Sequence, residues 1–330
     1  MLSLSNLHPN LQPLITPTFM TSLICGSLAF DNIMQFEGRF SESLLPDQLH
    51  KVNVSFYVPT MRREFGGCAG NIAYNLKLLG GDPLIMATLG QDGAPYLERL
   101  ESQAISNKCV RVIDSTFTAQ CFITTDADSN QITAFHPGAM MASHDNRVAE
   151  AGPVKLAIIA PDGRDGMLQH AEQAVALGVP FIFDPGQGLP MFNGDELKHF
   201  IEQATYVAVN DYEAELLTKR TGLSLEQIAA QVEALVVTRG ELGADIYTEG
   251  KKLEIPCVAA DAIADPTGCG DAFRAGMLFG LTQGLDWPTI GRLSSLMGSI
   301  KIAHQGPQNH APTLTEIGQR FEKAFGYRYI

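Results

Sequence analysis

From residue 156 onward the chain alternates short apolar runs with segments of helical spacing, and this rhythm leaves few folds open. Strands are predicted at 156–160, 181–183, 206–209 and 235–238, with helices at 167–177, 195–203, 213–220 and 225–232. A hairpin over 244–255 and two long helices, 270–283 and 288–304, follow. Upstream, 22–30 (SLICGSLAF) reads as one buried strand ending before Asp31, 71–79 as a helix stopped by Gly80-Gly81, 84–89 as a strand and 93–103 as a helix. Strands that alternate with helices in this way form a mostly parallel sheet covered on both faces, a three-layer α/β/α core. Two segments, 33–64 and 116–136, break the rhythm with polar, aromatic and β-branched alternation. They are predicted to form a small discontinuous β-sheet lid on a core that spans 21–330, the hairpin turn lying at 126–130.

Charge restricts the partners. Twenty-three Lys and Arg against 36 Asp and Glu give a net charge of −13 in 330 residues, a poor surface for coating nucleic acid or an anionic membrane. Any bound anion must then be held by backbone dipoles and a local cation. The six cysteines are scattered without a CxxC or Cys/His cluster, which fits reduced thiols in the cytoplasm rather than zinc or a disulfide framework. No run is long and apolar enough to span a membrane. Residues 1–19 lack Lys and Arg and are broken by Pro9, Pro13 and Pro17, unlike a signal peptide. Residues 1–20 are expected to be a tail, or to precede a true start at Met20.

GxxxxGK[ST], GxGxxG after a first strand, HExxH and GxSxG are all absent. Two glycine turns that open helices remain. In ADPTGCGDAFRAG (264–276), Gly268 and Gly270 flank Cys269, so consecutive amides at a helix start can form an anion cradle with Asp271 at its mouth. A carboxylate there suits a base beside a phosphoryl group under attack by a hydroxyl, or it only charges the helix start. In EFGGCAGN (64–71), Gly66 and Gly67 allow close backbone approach, and Asn71 offers both donor and acceptor to a hydroxyl; a glycine pair alone is a common tight turn.

Together, GGCAGNIAYNLKLLGG…LGQDG and DPTGCGDAFRAGMLFGL resemble the two signatures of the PfkB (ribokinase-like) kinases of carbohydrates and nucleosides. The resemblance implies a ribokinase-like fold and transfer of the ATP γ-phosphate. It makes Asp271 the catalytic base and Gly268, Cys269 and Gly270 the anion hole. Asn210 and Glu213 in NDYE would organise Mg2+ largely through water, although an N-cap asparagine with an early glutamate explains them as well. Thr238 and Gly240 match the nucleotide-side loop, His304 lies beside that pocket or on a surface turn, and Asp265 and Thr267 resemble a site for a monovalent cation such as K+. Asp31, Gly66, Gly67 and Asn71 would bind acceptor hydroxyls.

The first-strand element CGSLAFD resembles that of bacterial-type adenosine kinases, with Ser27 and Asp31 near the ribose. If Asp126 pairs with Gln131, Phe122 falls opposite Phe135 as a cross-strand pair, an aromatic platform for a purine, or else lid packing or a dimer contact. HPGAMM (136–141) resembles the segment after the lid, whereas DPGQGLPMF (184–192) lacks an arginine that some adenosine kinases place near the site. The expected function is adenosine phosphorylation to AMP. A ribose or fructose kinase is the same-class alternative, and a non-catalytic nucleoside-binding protein the other. An exposed lid face would also accommodate a homodimer.

Overall fold

The computed structural model describes residues 21–44 and 53–330; the expected tail over 1–20 lies outside them. In chain order the first half contains β1 (Thr21–Cys25), β2 (Ala29–Gln35), α1 (Phe40–Ser43), β3 (Thr60–Gly66), α2 (Cys68–Leu78), β4 (Asp82–Gly90), α3 (Ala94–Ser102), β5 (Ser106–Ile113), β6 (Ala119–Thr125) and β7 (Gln131–His136). The second half contains β8 (Leu156–Ile159), α4 (Arg164–Ala176), β9 (Phe181–Phe183), α5 (Gly194–Gln203), β10 (Tyr206–Asn210), α6 (Asp211–Thr221) and α7 (Leu225–Ala229). It ends with β11 (Ala234–Thr238), β12 (Ala244–Thr248), β13 (Lys251–Ile255), α8 (Cys269–Gln283), α9 (Trp287–Ile302) and α10 (Leu314–Phe325).

A nine-stranded sheet runs β13-β12-β11-β10-β9-β8-β1-β4-β5 and is parallel except for the β11-β12-β13 end. β1 sits between β8 and β4, so Leu23 and Ile24, on opposite faces, are both fully buried. Leu23 belongs to the buried cluster that includes residues of α4, α5 and α6, and Ile24 to the one that includes residues of α2, α8 and α9. Apolar residues on both faces are why the parallel strands read as continuous apolar runs rather than alternating ones. Among the described residues no helix is long and apolar enough to cross a membrane.

The expected single strand over 22–30 is two. At Gly26–Leu28 the chain leaves the large sheet: Ser27 N–H donates to the Pro161 carbonyl at 3.0 Å, and the Ser27 carbonyl accepts from Ala69 N–H at 3.0 Å. Both halves are buried, so the change of sheet leaves no mark in the hydropathy. The second sheet, β3-β2-β6-β7, therefore begins at Ala29 rather than at residue 33. Three of these elements have no counterpart in the sequence reading. Edge strand β5 is largely exposed, α1 is a single turn inside a segment read as strand, and α10 carries both a Thr313/Glu316 capping box and apolar residues at helical spacing (Leu314, Ile317, Phe321, Phe325) that the reading passed over.

The hairpin register also differs by one residue. Asp126 is not a ladder position: its carboxylate accepts the amides of Phe40 (3.0 Å), Asp128 (3.0 Å) and Asn130 (2.8 Å) and closes the loop. Pairing starts at Thr125↔Gln131, which sets Phe135 opposite Cys121 and Phe122 opposite Ala134. Phe122 and Phe135 thus lie on opposite faces and form no cross-strand pair. Phe135 shares the face of Asp31 and Cys121, and Phe122 the outer face, with Met61 and Ile132 exposed beside it.

Candidate active site

The starts of α2 and α8 meet at the C-terminal ends of the parallel strands, where open α/β sheets bind ligands. Gly67 and Gly268 are the N-cap residues of these helices, with φ of +85° and +80°, conformations that side chains disfavour. Asn71, one turn into α2, donates from Nδ2 to Asp271 Oδ2 at 2.8 Å. Gln308 Nε2 fixes the asparagine by donating to its Oδ1 at 3.0 Å, and it also reaches the Tyr96 hydroxyl at 3.0 Å. That hydroxyl donates to the Gly66 carbonyl at 2.7 Å. A buried polar chain therefore sets the Asn71 amide with its NH2 toward Asp271.

In the turn before α8, the Cys269 N–H is directed back to the Pro266 carbonyl at 3.2 Å, unlike its expected place in the anion hole. The amides of Gly268, Gly270 and Asp271 make no hydrogen bond to protein among the described residues, and a Cβ on Gly270 would meet nothing. These amides, at the positive end of a 15-residue helix, are the open donors. Asp265 braces the turn: its carboxylate accepts from Thr267 N–H and Gly306 N–H, each at 2.9 Å. The fully buried Lys301 donates from Nζ to the Asp265 carbonyl at 2.6 Å and to the His304 carbonyl at 3.2 Å. Where a monovalent cation was expected around Asp265 and Thr267, an ammonium group already holds the Asp265 carbonyl oxygen. His304 is exposed just after α9, with Nδ1 3.1 Å from the Ile300 carbonyl oxygen.

Burial pushes the Asp271 carboxyl up to about 7; the Asn71 hydrogen bond and Arg274 pull it down, while Asp184 and Asp31 add to the rise. Asp31, on the cleft-facing side of β2, is raised to about 6 by burial and by Asp265 and Glu64. A Cβ on Gly66 would lie 2.5 Å from Asp31 Oδ2, so that glycine makes room for the carboxylate. A Cβ on Gly67 would lie 2.5 Å from the Ser27 carbonyl oxygen, so its closest neighbour is protein. Ser27 Oγ accepts the Cys68 amide at 3.2 Å. Between the small sheet and the 264–267 turn lies a cavity of about 470 Å³, lined by Ile33, Gln35, Arg62 and Ile123 on one side and Asp265 and Thr267 on the other.

Asn210 and Glu213 form a reciprocal capping box: Glu213 N–H donates to Asn210 Oδ1 at 2.7 Å and Asn210 N–H to Glu213 Oε2 at 2.8 Å. One Glu213 oxygen is thereby committed, which leaves the other for a hydrated cation. No group of three or more His, Cys, Asp or Glu among the described residues is set to ligate a metal directly. A Mg2+ held through its own waters fits a carboxylate of this kind, since that ion sheds water reluctantly. Thr238, at the end of β11, and Gly240, φ +55°, lie on the same rim, and Arg239 is turned away onto Asp245 at 2.9 Å. Arg274, Lys301, Gln308, Tyr96 and Asp184 escaped the sequence reading. Arg274 stood in a quoted motif, but at helical core spacing an arginine carries no signal of its own.

A mostly parallel sheet with a small second sheet over its strand ends, a glycine cradle and a partly buried carboxyl define a ribokinase-like kinase fold. The profile of the pfkB family carbohydrate kinases matches residues 29–314, and the chain belongs to that family. It is 32% identical over 311 residues to a nucleoside kinase of Methanocaldococcus jannaschii, covering 92% of this chain and 98% of that protein. The structure of Burkholderia thailandensis nucleoside kinase in complex with inosine superposes with a TM-score of 0.85 at 60% identity, covering 93% of this chain and 99% of that one. The complex of the same kinase with ADP and inosine gives 0.83 at 61% identity, over 93% and 97% of the two chains.

Proposed function

We propose that this chain is an ATP-dependent nucleoside kinase that transfers the γ-phosphoryl group of ATP to the primary hydroxyl of a purine nucleoside, with adenosine and inosine as the first acceptors to test. The observation that carries this is the 2.8 Å contact between Asn71 and Asp271, which joins the acceptor side to the phosphate cradle. Asp31 and Asn71 hold ribose hydroxyls, and Phe135, on the face of Asp31, supplies one aromatic wall for the base. Asp271 accepts the proton of the attacking hydroxyl. Raised to about 7, close to neutrality, it suits a base that must be ionised before attack and protonated after it. The amides of Gly268, Gly270 and Asp271 stabilise charge on the phosphoryl oxygens. Mg2+, when bound on the Asn210–Glu213 side, supplies countercharge to the phosphates.

The test is an ADP-release assay across adenosine, inosine, ribose and fructose. Turnover of nucleosides well above both sugars is expected. Turnover of free sugars alone, unchanged in Phe135→Ala, would return the acceptor to a ketose or pentose. Absence of phosphotransfer to all four, with nucleoside binding retained, would favour a binding protein.

A further inference from the structure

One buried guanidinium is hydrogen-bonded to one carboxylate and lies within electrostatic reach of two more. Asp184 follows β9, Glu213 lies in the first turn of α6, Asp271 in the first turn of α8, and the charge of Arg274, one turn further along α8, acts on all three. Arg274 is only 4% exposed. Its Nη2 donates to Asp184 Oδ1 at 3.2 Å, while Nε and Nη1 are buried without a hydrogen-bond partner. A buried ion pair is seldom the most stable filling for a core, and one with two open donors is less so. Stability therefore gives little reason for an arginine here. The site does give one, because the other buried cation near Asp271, Lys301, is committed to the carbonyls of Asp265 and His304.

We propose that Arg274 is a positioning residue for phosphoryl transfer, the internal counter-ion that holds the base Asp271, the cation-side Glu213 and Asp184 in one charged frame beneath the phosphate cradle. The proposal rests on the reading of Asp271 as the base. The surroundings of Asp271 are Asn71 and Cys68 from α2, Tyr96 from α3, Asp31 from β2, Asp184 after β9, Cys269 and Arg274 from α8, and Lys301 from α9. Of these, Arg274 is the cation that is hydrogen-bonded to Asp184 and whose charge also acts on Glu213 and Asp271. It also sits against Asp184 of the DPGQG segment, which lacks an arginine of its own.

The experiment compares Arg274→Gln, Arg274→Lys and the double variant Asp184→Asn/Arg274→Gln by kcat, nucleoside KM and Tm. Arg274→Gln is expected to lower kcat at least about tenfold with nucleoside KM changed less than about threefold, and Arg274→Lys to regain most of the loss. The double variant, which removes the unpaired carboxylate, should return to the parent Tm with kcat still depressed. Recovery of kcat together with Tm would reduce the ion pair to a structural role and overturn the proposal. If the double variant does not fold, equal kcat in Arg274→Gln and Arg274→Lys overturns it instead. The two readings fail differently: an active Asp271→Asn removes the base, whereas an inactive Asp271→Asn beside a fully active double variant removes only Arg274.

Discussion

The two glycine turns look alike in sequence and are used differently. Before α2, Gly67 is enclosed by the backbone of Ser27, Leu28 and Ala29, and Gly66 by Asp31 and the Tyr96 hydroxyl. Before α8, a Cβ on Gly268 would touch Pro307 at 2.8 Å, but the space over Gly270 is open. One turn lets protein approach protein; the other leaves amides facing out. A glycine before a helix therefore announces close approach without saying what approaches.

Substitutions can break or sharpen that contrast. The largest effect is expected from Asp271→Asn, which should lower kcat by about 10²–10⁴-fold with a much smaller change in nucleoside KM, measured by steady-state kinetics. In the parent, kcat should rise with pH through about 7 as Asp271 ionises and fall below it, since the protonated carboxyl cannot accept the hydroxyl proton. A rate flat from pH 5.5 to 8.5, with chemistry limiting, would contradict this. Next, Gly67→Ala should cost about 2–4 kcal/mol of stability through its backbone conformation and the Ser27 contact. Gly270→Ala should leave Tm near the parent value and lower kcat/KM for ATP by about tenfold. Thermal melts and kinetics on both decide whether the turns differ as described.

The two faces of the small sheet differ in the same way. Phe135→Ala should raise nucleoside KM about three- to tenfold, whereas Phe122→Ala, on the outer face, should leave it unchanged. Equal effects would mean that the register assigned here does not govern binding. A separate effect, on stability alone, is expected at the buried Asp162, whose Oδ1 accepts the Gly163 amide at 2.8 Å and whose carboxyl lies beside the Ser143 hydroxyl. Burial raises this carboxyl to about 8, so between about pH 4 and 8 the folded state keeps a proton that the unfolded state has lost. Its stabilising contribution is complete below the unfolded value and disappears as pH rises through about 8. Asp162→Asn should therefore gain Tm over the parent at pH 8 and little at pH 4.

Much of the core and the cradle could be read from residues, because both rest on local pattern. Alternating apolar runs need only period and length, and DPTGCGD needs only glycines placed before a helix. What stayed hidden depends on contacts across long stretches of chain. The strand break at Gly26–Leu28 shows only through Pro161 and Ala69. The hairpin register turned on which groups Asp126 bonds, and one of them, Phe40, lies 86 residues away. Gln308 meets Asn71 across 237 residues, and Arg274 meets Asp184 across 90. Polar side chains of that kind have no periodicity from which to be recognised.

Among the described residues the chain passes between the small sheet and the large one at a single edge, while side chains farther out also reach the core: Arg62 Nη1 donates to Gln305 Oε1 at 2.5 Å and Asn309 Nδ2 to Glu64 Oε2 at 2.8 Å. Ala29, Gly66, Ala119 and His136 lie at that edge, and Gln35, Thr60, Thr125 and Gln131 at the opposite one. At the usual rise per strand residue Asp31 sits roughly 7 Å from the covalently attached end while Gln35 sits roughly 20 Å away. Any rotation about the attachment moves the far margin nearly three times as far as Asp31. The carboxylate that faces the acceptor therefore stands close to the fulcrum and keeps its aim, and the sweep falls to the outer margin above residues 264–267.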